Sequence, residues 1–278
     1  MYLERKTKRA TIIFVYILIF SCVGFLVYYY TKPKPSCSDG KRNQNEENVD
    51  CGGVCGACKK AIEAEPLKVE EQSVVYGGQG RYDMVAKISN PNTQFGSPAF
   101  QYVVRLKGSD GSVLAERQGT GFILPTEAKY VVEVNFESPV VPQSAEVTIE
   151  STTWQEFVEF REKPVLSVHN RRFSLIGGGG PWYSEVYGVL QNESMFDFNV
   201  VKVRVILRDA SGNALAANVI EVRDVRSGEQ RSFEFKWAYE FPGQGEVAEV
   251  QVDPDANVYD SENFMQLYRP ARRFQELK

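Results

Sequence analysis

The chain repeats itself. A stretch starting at Tyr82, YDMVAKISNPNTQFGSPAFQYVVRLKGSDGSVLAERQGTGFILPTEAKYVVEV, returns from Tyr183 as YSEVYGVLQNESMFDFNVVKVRVILRDASGNALAANVIEVRDVRSGEQRSFEF. Tyr82 aligns with Tyr183, Val85 with Val186, and Asn90 with Asn192. Gly111 in SDGSVLA aligns with Gly212 in ASGNALA, and Ala145-Glu146-Val147 with Ala248-Glu249-Val250, at an offset between 101 and 103. A repeat of this period means that one structural plan is used twice. The fold of most of the chain therefore reduces to the fold of about one hundred residues, near 66–163 and again near 164–264.

The pattern inside each copy is β. Val201, Val203, Val205 and Leu207 alternate with Lys202, Arg204, Ile206 and Arg208. Val103, Arg105, Leu106 and Lys107 are a rougher version. Period-two alternation predicts one buried and one wet face. Asp110-Gly111 and Ser211-Gly212 sit between strand-like runs, as hairpin turns do. Pro125-Thr126 and Ser227-Gly228-Glu229 mark the next turn. Beyond residue 30 only a weak run at 153–162 has helical periodicity. About seven short strands per copy, with turns every 8–12 residues, predict an antiparallel sandwich. Hydrophobic residues at 43% suffice for two packed cores. Val165 to Phe173 leaves almost no spacer between copies, which predicts restricted motion.

Residues 10–30, ATIIFVYILIFSCVGFLVYYY, carry no charge. A helix of this length spans roughly 30 Å, the thickness of a bilayer's hydrocarbon core. Tyr28, Tyr29 and Tyr30 suit the interface. Arg5, Lys6, Lys8 and Arg9 precede the span and Lys32 and Lys34 follow it, so the positive-inside rule puts the N-terminus in the cytoplasm and the rest outside. A cleaved signal peptide has a shorter apolar run and a small-residue cleavage site; here the run is long and ends in bulky tyrosines. A lipoprotein signal would need Cys22 behind small residues, but Phe20 is large, and Cys22 reads as a small apolar residue of the helix.

Four of the five cysteines, Cys37, Cys51, Cys55 and Cys58, fall within 22 residues as C-x13-C-x3-C-x2-C. The segment CSDGKRNQNEENVDCGGVCGACKK is rich in turn formers and nearly free of apolar residues. It needs a covalent or metal staple. Four thiolates can hold zinc; two disulfides can form in three connectivities. A location outside the cytoplasm favours disulfides. Asp39, Asn43, Glu46 and Asp50 offer oxygen ligands for Ca²⁺. Their spacing is not that of an EF-hand, and turn bracing explains them as well.

Two resemblances follow. The Cys-rich segment resembles a short module of bacterial cell-surface proteins, C-x-D-G-x2-N-x2-E-x2-V-D-C-G-G-x-C-x2-C, at every fixed position: Cys37, Asp39, Gly40, Asn43, Glu46, Val49, Asp50, Cys51, Gly52, Gly53, Cys55 and Cys58. That resemblance implies an extracytoplasmic, disulfide-bonded element and no reaction. The second copy resembles the FxLYD family of small bacterial sandwich domains through Gly188, Val189 and Asn192, the run Val205 to Gly212, Ser227-Gly228-Glu229, and Phe233 and Phe235. Val205 and Arg208 stand where the family has Phe and Tyr. That resemblance implies a sandwich fold, a surface location and no common enzymatic activity.

Residues 1–34 hold six basic side chains and one acidic, leaving 26 basic and 35 acidic residues in the remainder. A body of net charge −9 repels phosphates, so no nucleic-acid partner is expected. His169, the single histidine, lies in a strand-like run and assembles no Ser/His/Asp set by sequence context. Gly177 to Gly180 lacks the Lys-Ser/Thr of a phosphate loop and reads as a loop before a strand, matching Gly77-Gly78-Gln79-Gly80 in the first copy. Asn192-Glu193-Ser194 fits a glycosylation triplet, but the aligned Asn90 is followed by Pro91, so a shared turn explains both asparagines better. Trp154, Trp182 and Trp237 read as core, with Trp182 beside the glycine loop also suited to a surface.

The expected organisation is a cytoplasmic stub (1–9), a transmembrane anchor (10–30), a stapled linker (31–65), sandwich repeats at 66–163 and 164–264, and a tail (265–278). The fold class is all-β: two tandem antiparallel Ig-like or FxLYD-like sandwiches behind one transmembrane helix. The expected function is a non-catalytic, single-pass structural or protein-interaction role in the cell envelope. Its partners would be the lipid bilayer and other envelope proteins, and it would need no cofactor. The alternative is a ligand- or calcium-binding envelope module using Asp39, Asn43, Glu46 and Asp50.

Overall fold

A computed structural model of the chain describes residues 2–31, 36–58, 64–157, 163–177, 179–261 and 264–265. The chain divides into two compact units, Met1–Ile62 and Glu63–Lys278.

The first unit opens with helix α1, Tyr2–Thr31. Within it, Lys8–Tyr30 is long and apolar enough to cross a membrane, and none of its central window is buried in protein. At 1.5 Å per residue these 23 residues extend about 34 Å. An apolar helix with no protein cover would be unstable in water, so its length and composition suit lipid. The Cys-rich segment is a set of turns closed by two disulfides, Cys37–Cys55 and Cys51–Cys58. Cys22 is the free cysteine.

The second unit is all antiparallel β. Its strands are β1 (Lys68–Gly78), β2 (Arg81–Ser89), β3 (Phe95–Lys107), β4 (Val113–Ile123), β5 (Ala128–Glu137), β6 (Ser144–Glu156), β7 (Leu166–Leu175), β8 (Ser184–Asn192), β9 (Phe198–Arg208), β10 (Ala214–Val225), β11 (Gln230–Trp237) and β12 (Glu249–Asp255). They form four three-stranded sheets, ordered β1-β2-β5, β4-β3-β6, β11-β8-β7 and β10-β9-β12. Advancing every label of the first two sheets by six gives the second two, so the sequence repeat is a repeat of topology. Each copy has six strands rather than about seven. Residues that read as turn formers are absorbed into strands: Pro98 lies within β3 where its pairing slips, and Pro254 lies in the edge strand β12.

Each sandwich closes on its own core. Met84, Ala86 and Ile88 of β2 meet Phe100, Tyr102, Val104 and Leu106 of β3 in the first. Val186 and Leu190 of β8 meet Val201, Val203, Val205 and Leu207 of β9 in the second. Trp237 is fully buried in this second core, whereas Trp182 is 43% exposed.

The alignment of Val85 with Val186 does not survive. Val186 points into the second core, while Val85 points out of the first sandwich. Asn90 directly follows β2 and Asn192 ends β8, at an offset of 102, which makes Met84 the counterpart of Val186. A slip of one residue exchanges the faces of a strand. The two asparagines do the same work. Asn90 Nδ2 donates to the carbonyls of Phe95 and Leu124, and Asn192 Nδ2 to those of Phe196 and Arg226. Asn192 is fully buried, which leaves its triplet no room for a glycan.

Candidate functional site

The two sandwiches pack face to face, and the junction gathers the chemistry of the second unit. The outer face of β1-β2-β5 lies on the outer face of β10-β9-β12, with Val75, Val85, Val132, Ile206 and Ala217 buried between them. This corrects the reading of β9 as a half-wet strand. Arg204, Ile206 and Arg208, on the face expected to meet water, are all buried. Arg105, the position in the first copy aligned with Ile206, is half-buried, has no second sheet packed over it among the described residues, and pairs with Glu116 at 2.6 Å. Gly78 adapts the chain to this contact. Its φ is +85°, and a side chain there would overlap the ring of Tyr239 from the second sandwich.

Charged groups frame the apolar patch. Arg208 reaches both carboxylate oxygens of Glu71 across the junction, at 2.9 and 3.1 Å. Arg204 Nη1 donates to Asp255 Oδ2 at 2.9 Å. Lys129 Nζ lies 2.7 Å from the same oxygen, off the line of a hydrogen bond, and 3.4 Å from the centre of the Phe122 ring. Asp253 Oδ2 accepts the Tyr130 N–H at 3.0 Å. Burial opposes ionisation of Asp255, but Lys129 and Arg204 outweigh it and hold its pKa below the usual carboxylate value. Asp253 lacks so close a cation, and burial raises its pKa. A buried ion pair of this kind holds a specific register, because removing one partner leaves an uncompensated charge.

Asp83 is a third buried acid at the junction, 2% exposed on the outer face of β2. Its Oδ1 accepts the Asn135 N–H at 2.8 Å. Burial pushes its pKa up to about 6, against that hydrogen bond and the nearby Arg117.

Beside the packed patch the junction opens into a cleft of about 520 Å³. The buried Lys129, Arg204 and Asp255 form its inner end, the half-buried Phe122, Val200 and Val219 give it apolar surface, and the exposed Asp197, Glu221 and Asp260 stand at its mouth. Its volume is in the range of ligand sites. Tyr102 OH donates to Glu133 Oε1 at 2.7 Å, bridging the two sheets of the first sandwich there.

The sites marked from sequence fall elsewhere. Asp39, Asn43, Glu46 and Asp50 do come together, with the carboxylate oxygens of Asp39, Glu46 and Asp50 accepting hydrogen bonds from the chain. Asp50 Oδ1 and Oδ2 accept the N–H groups of Asp39 and Gly40, at 2.9 Å each. Glu46 Oε2 accepts those of Asn43 and Asp50, each at 3.1 Å. Asn43 Nδ2 donates to Asp39 Oδ2, the main reason that the Asp39 pKa lies below its usual value. Glu46 also sits against the Cys37–Cys55 bridge, whose bonded sulfurs are not free as metal ligands. Lys8 and Arg9 are exposed on α1; the Arg5 and Lys6 side chains, and Lys32 and Lys34, lie outside the described residues.

His169 gathers Ser167 and Glu193 on the surface, but Ser167 Oγ at 3.0 Å and Glu193 Oε1 at 3.8 Å both face its Nε2. A relay places the acid on the opposite ring nitrogen. The junction residues had a faint signature in the sequence. Val85, Val132 and Ile206 are apolar at outward strand positions, as a covered face requires.

Fold and site together define an all-β pair of sandwiches joined through a buried polar seam, preceded in sequence by a disulfide-closed module and an apolar helix. No family model matches the chain, and no curated protein matches it in sequence. Among solved structures it is similar to the crystal structure of red sea bream transglutaminase, with 10% identity and a TM-score of 0.22. That match covers 71% of this chain and 30% of that chain, and at this score it carries no argument.

Proposed function

We propose that the chain is a non-catalytic protein of the cell envelope, anchored by α1 with its N-terminus in the cytoplasm, whose tandem sandwiches present protein-binding surface outside. The observation that carries the reading is the conjunction of α1 with two disulfides within the following 30 residues. Disulfides persist in oxidising compartments, and the four basic residues before the span against two after it favour the same orientation. The turn-bracing hydrogen bonds of Asp39, Glu46 and Asp50 support a structural role for the Cys-rich module over calcium binding.

The test is alkylation of unreduced protein followed by mass spectrometry, with protease added to intact cells or spheroplasts. Cys22 should be the one thiol modified, and residues 64–278 should be digested from outside. Four further thiols released by a chelator, or a body protected until the cytoplasmic face is opened, would overturn the reading.

A further inference from the structure

The geometry points to the cleft between the sandwiches as the docking site for an extended, basic peptide segment of a partner protein. This deepens the interaction role proposed above and rests on it. Three edge strands converge on the cleft: β5 ends the sheet β1-β2-β5, β4 ends β4-β3-β6, and β10 ends β10-β9-β12. An edge strand carries unpaired backbone donors and acceptors, and a peptide can add to it as a further strand.

The β5 edge is braced at two points and open between them. Near one end Tyr130 N–H is held by Asp253. Toward the other, Arg117 donates to the carbonyls of Val134 and Asn135, at 2.6 and 3.0 Å. Val132 has the strand parity of Tyr130 and Val134, so its N–H and C=O face away from β2, along the cleft that Val131, Val132 and Glu133 line.

Charge selects the peptide. At the mouth, Asp197 Oδ1 accepts the Ser227 N–H, Glu221 Oε2 accepts from Arg223, and Asp260 Oδ2 accepts from Asn257. The other oxygen of each carboxylate accepts no hydrogen bond among the described residues. Lys202 and Arg223, the latter paired with Glu221, are the basic side chains beside them among the described residues, and Lys129 and Arg204 are committed to Asp255, so three carboxylates stand against two cations at the lip. The lip therefore favours Lys or Arg side chains over acidic ones, and the half-buried Phe122, Val200 and Val219 within suit an apolar side chain between them.

The test titrates fluorescently labelled peptides into the full chain in detergent. The probes are acetyl-TRVRT-amide, its counterpart with Glu in place of Arg, and two forms of the basic peptide methylated on alternate backbone nitrogens. The basic peptide should bind at least about tenfold more tightly than the acidic one. One of the two methylated forms should lose about tenfold, because one set of amides faces the β5 edge. Glu221→Lys should weaken the basic peptide and strengthen the acidic one, and Glu221→Gln, which preserves size, should weaken the basic peptide less. Unchanged circular dichroism confirms that the variants fold. Equal binding of both charges, equal binding of both methylated forms, or indifference to Glu221 would overturn the proposal. Self-association abolished by Glu221→Lys, without peptide binding, would assign the edges to a second copy and also overturn it. The thiol and protease tests are independent of these peptides, so the envelope reading can stand while the cleft assignment falls.

Discussion

Replacing Asp83 by Asn should stabilise the protein at neutral pH and change little at pH 4. Asp83 sits 2% exposed between the two sandwiches, with its folded pKa near 6 against an ordinary value of 3.8. The sign follows from proton affinity. The folded state binds this proton more tightly than the unfolded state, so stability is highest where the group is protonated in both and falls as pH rises through about 6. A gap of this width between the folded and unfolded pKa, at roughly 1.4 kcal/mol for each pH unit, costs about 3 kcal/mol, fully felt by about pH 7 and absent below about pH 4. Asn keeps an oxygen for the Asn135 N–H and cannot ionise. For a body of this size, 1 kcal/mol moves Tm by about 2–4 °C, so the variant should melt roughly 6–12 °C higher at pH 7.5.

The assay is thermal unfolding of the full chain in detergent, followed at the β band between pH 4 and 8, for wild type and variant side by side. Taking the difference cancels every other titrating group. A new amide without an acceptor would lower the variant equally at all pH values, so the slope of the difference is the test. A difference that does not grow with pH would refute the claim that Asp83 is forced to ionise in a desolvated junction.

Other perturbations probe the same seam. Lys129→Met strands Asp255 beside a single cation and should cost about 3–5 kcal/mol by urea denaturation, with part of the loss recovered in the double variant with Asp255→Asn. Ile206→Ala should cost about 2–4 kcal/mol, whereas Arg105→Ala, at the aligned but uncovered position, should stay within about 0.5 kcal/mol; equal effects would deny that one outer face is covered and the other is not. Gly78→Val should destabilise and raise protease sensitivity, since it brings both a strained φ and an overlap with Tyr239.

Much of the architecture was legible from local patterns. The internal repeat foretold two copies of one topology, and the period-two run through Val201 to Leu207 located an inward face that the structure retains. Gly111 and Gly212, both at positive φ, close the turns expected of them. What local pattern could not reveal was which polar face would be covered. Arg204 and Arg208 look like solvent-facing residues in any window of ten, because a charged side chain reads the same whether it meets water or a carboxylate from residues far away. Their partners are Asp255 and Glu71, the latter 137 positions distant. The one-residue error at Val85 has the same origin: similar residues aligned well, but strand parity is settled by packing.

The two copies have the same topology and opposite outer surfaces, and that difference explains why the pair is one unit. In the first copy, the covered sheet is the one built from β1, β2 and β5; in the second it is the one built from β9, β10 and β12, the counterpart of the first copy's β3, β4 and β6. The contact is therefore heterologous: each copy offers a different face, so Arg208 and Ile206 need no equivalents at Lys107 and Arg105. A head-to-tail contact leaves one matching face on each copy with no sheet packed on it among the described residues, the β3-β4-β6 sheet of the first and the β7-β8-β11 sheet of the second. Salt bridges such as Lys107–Glu146 and Lys236–Glu234 populate those faces with charge. Charge on these faces makes them unlike the apolar patch of Val75, Val85, Val132, Ile206 and Ala217, and a third sandwich added by the same contact would have to bury those charges.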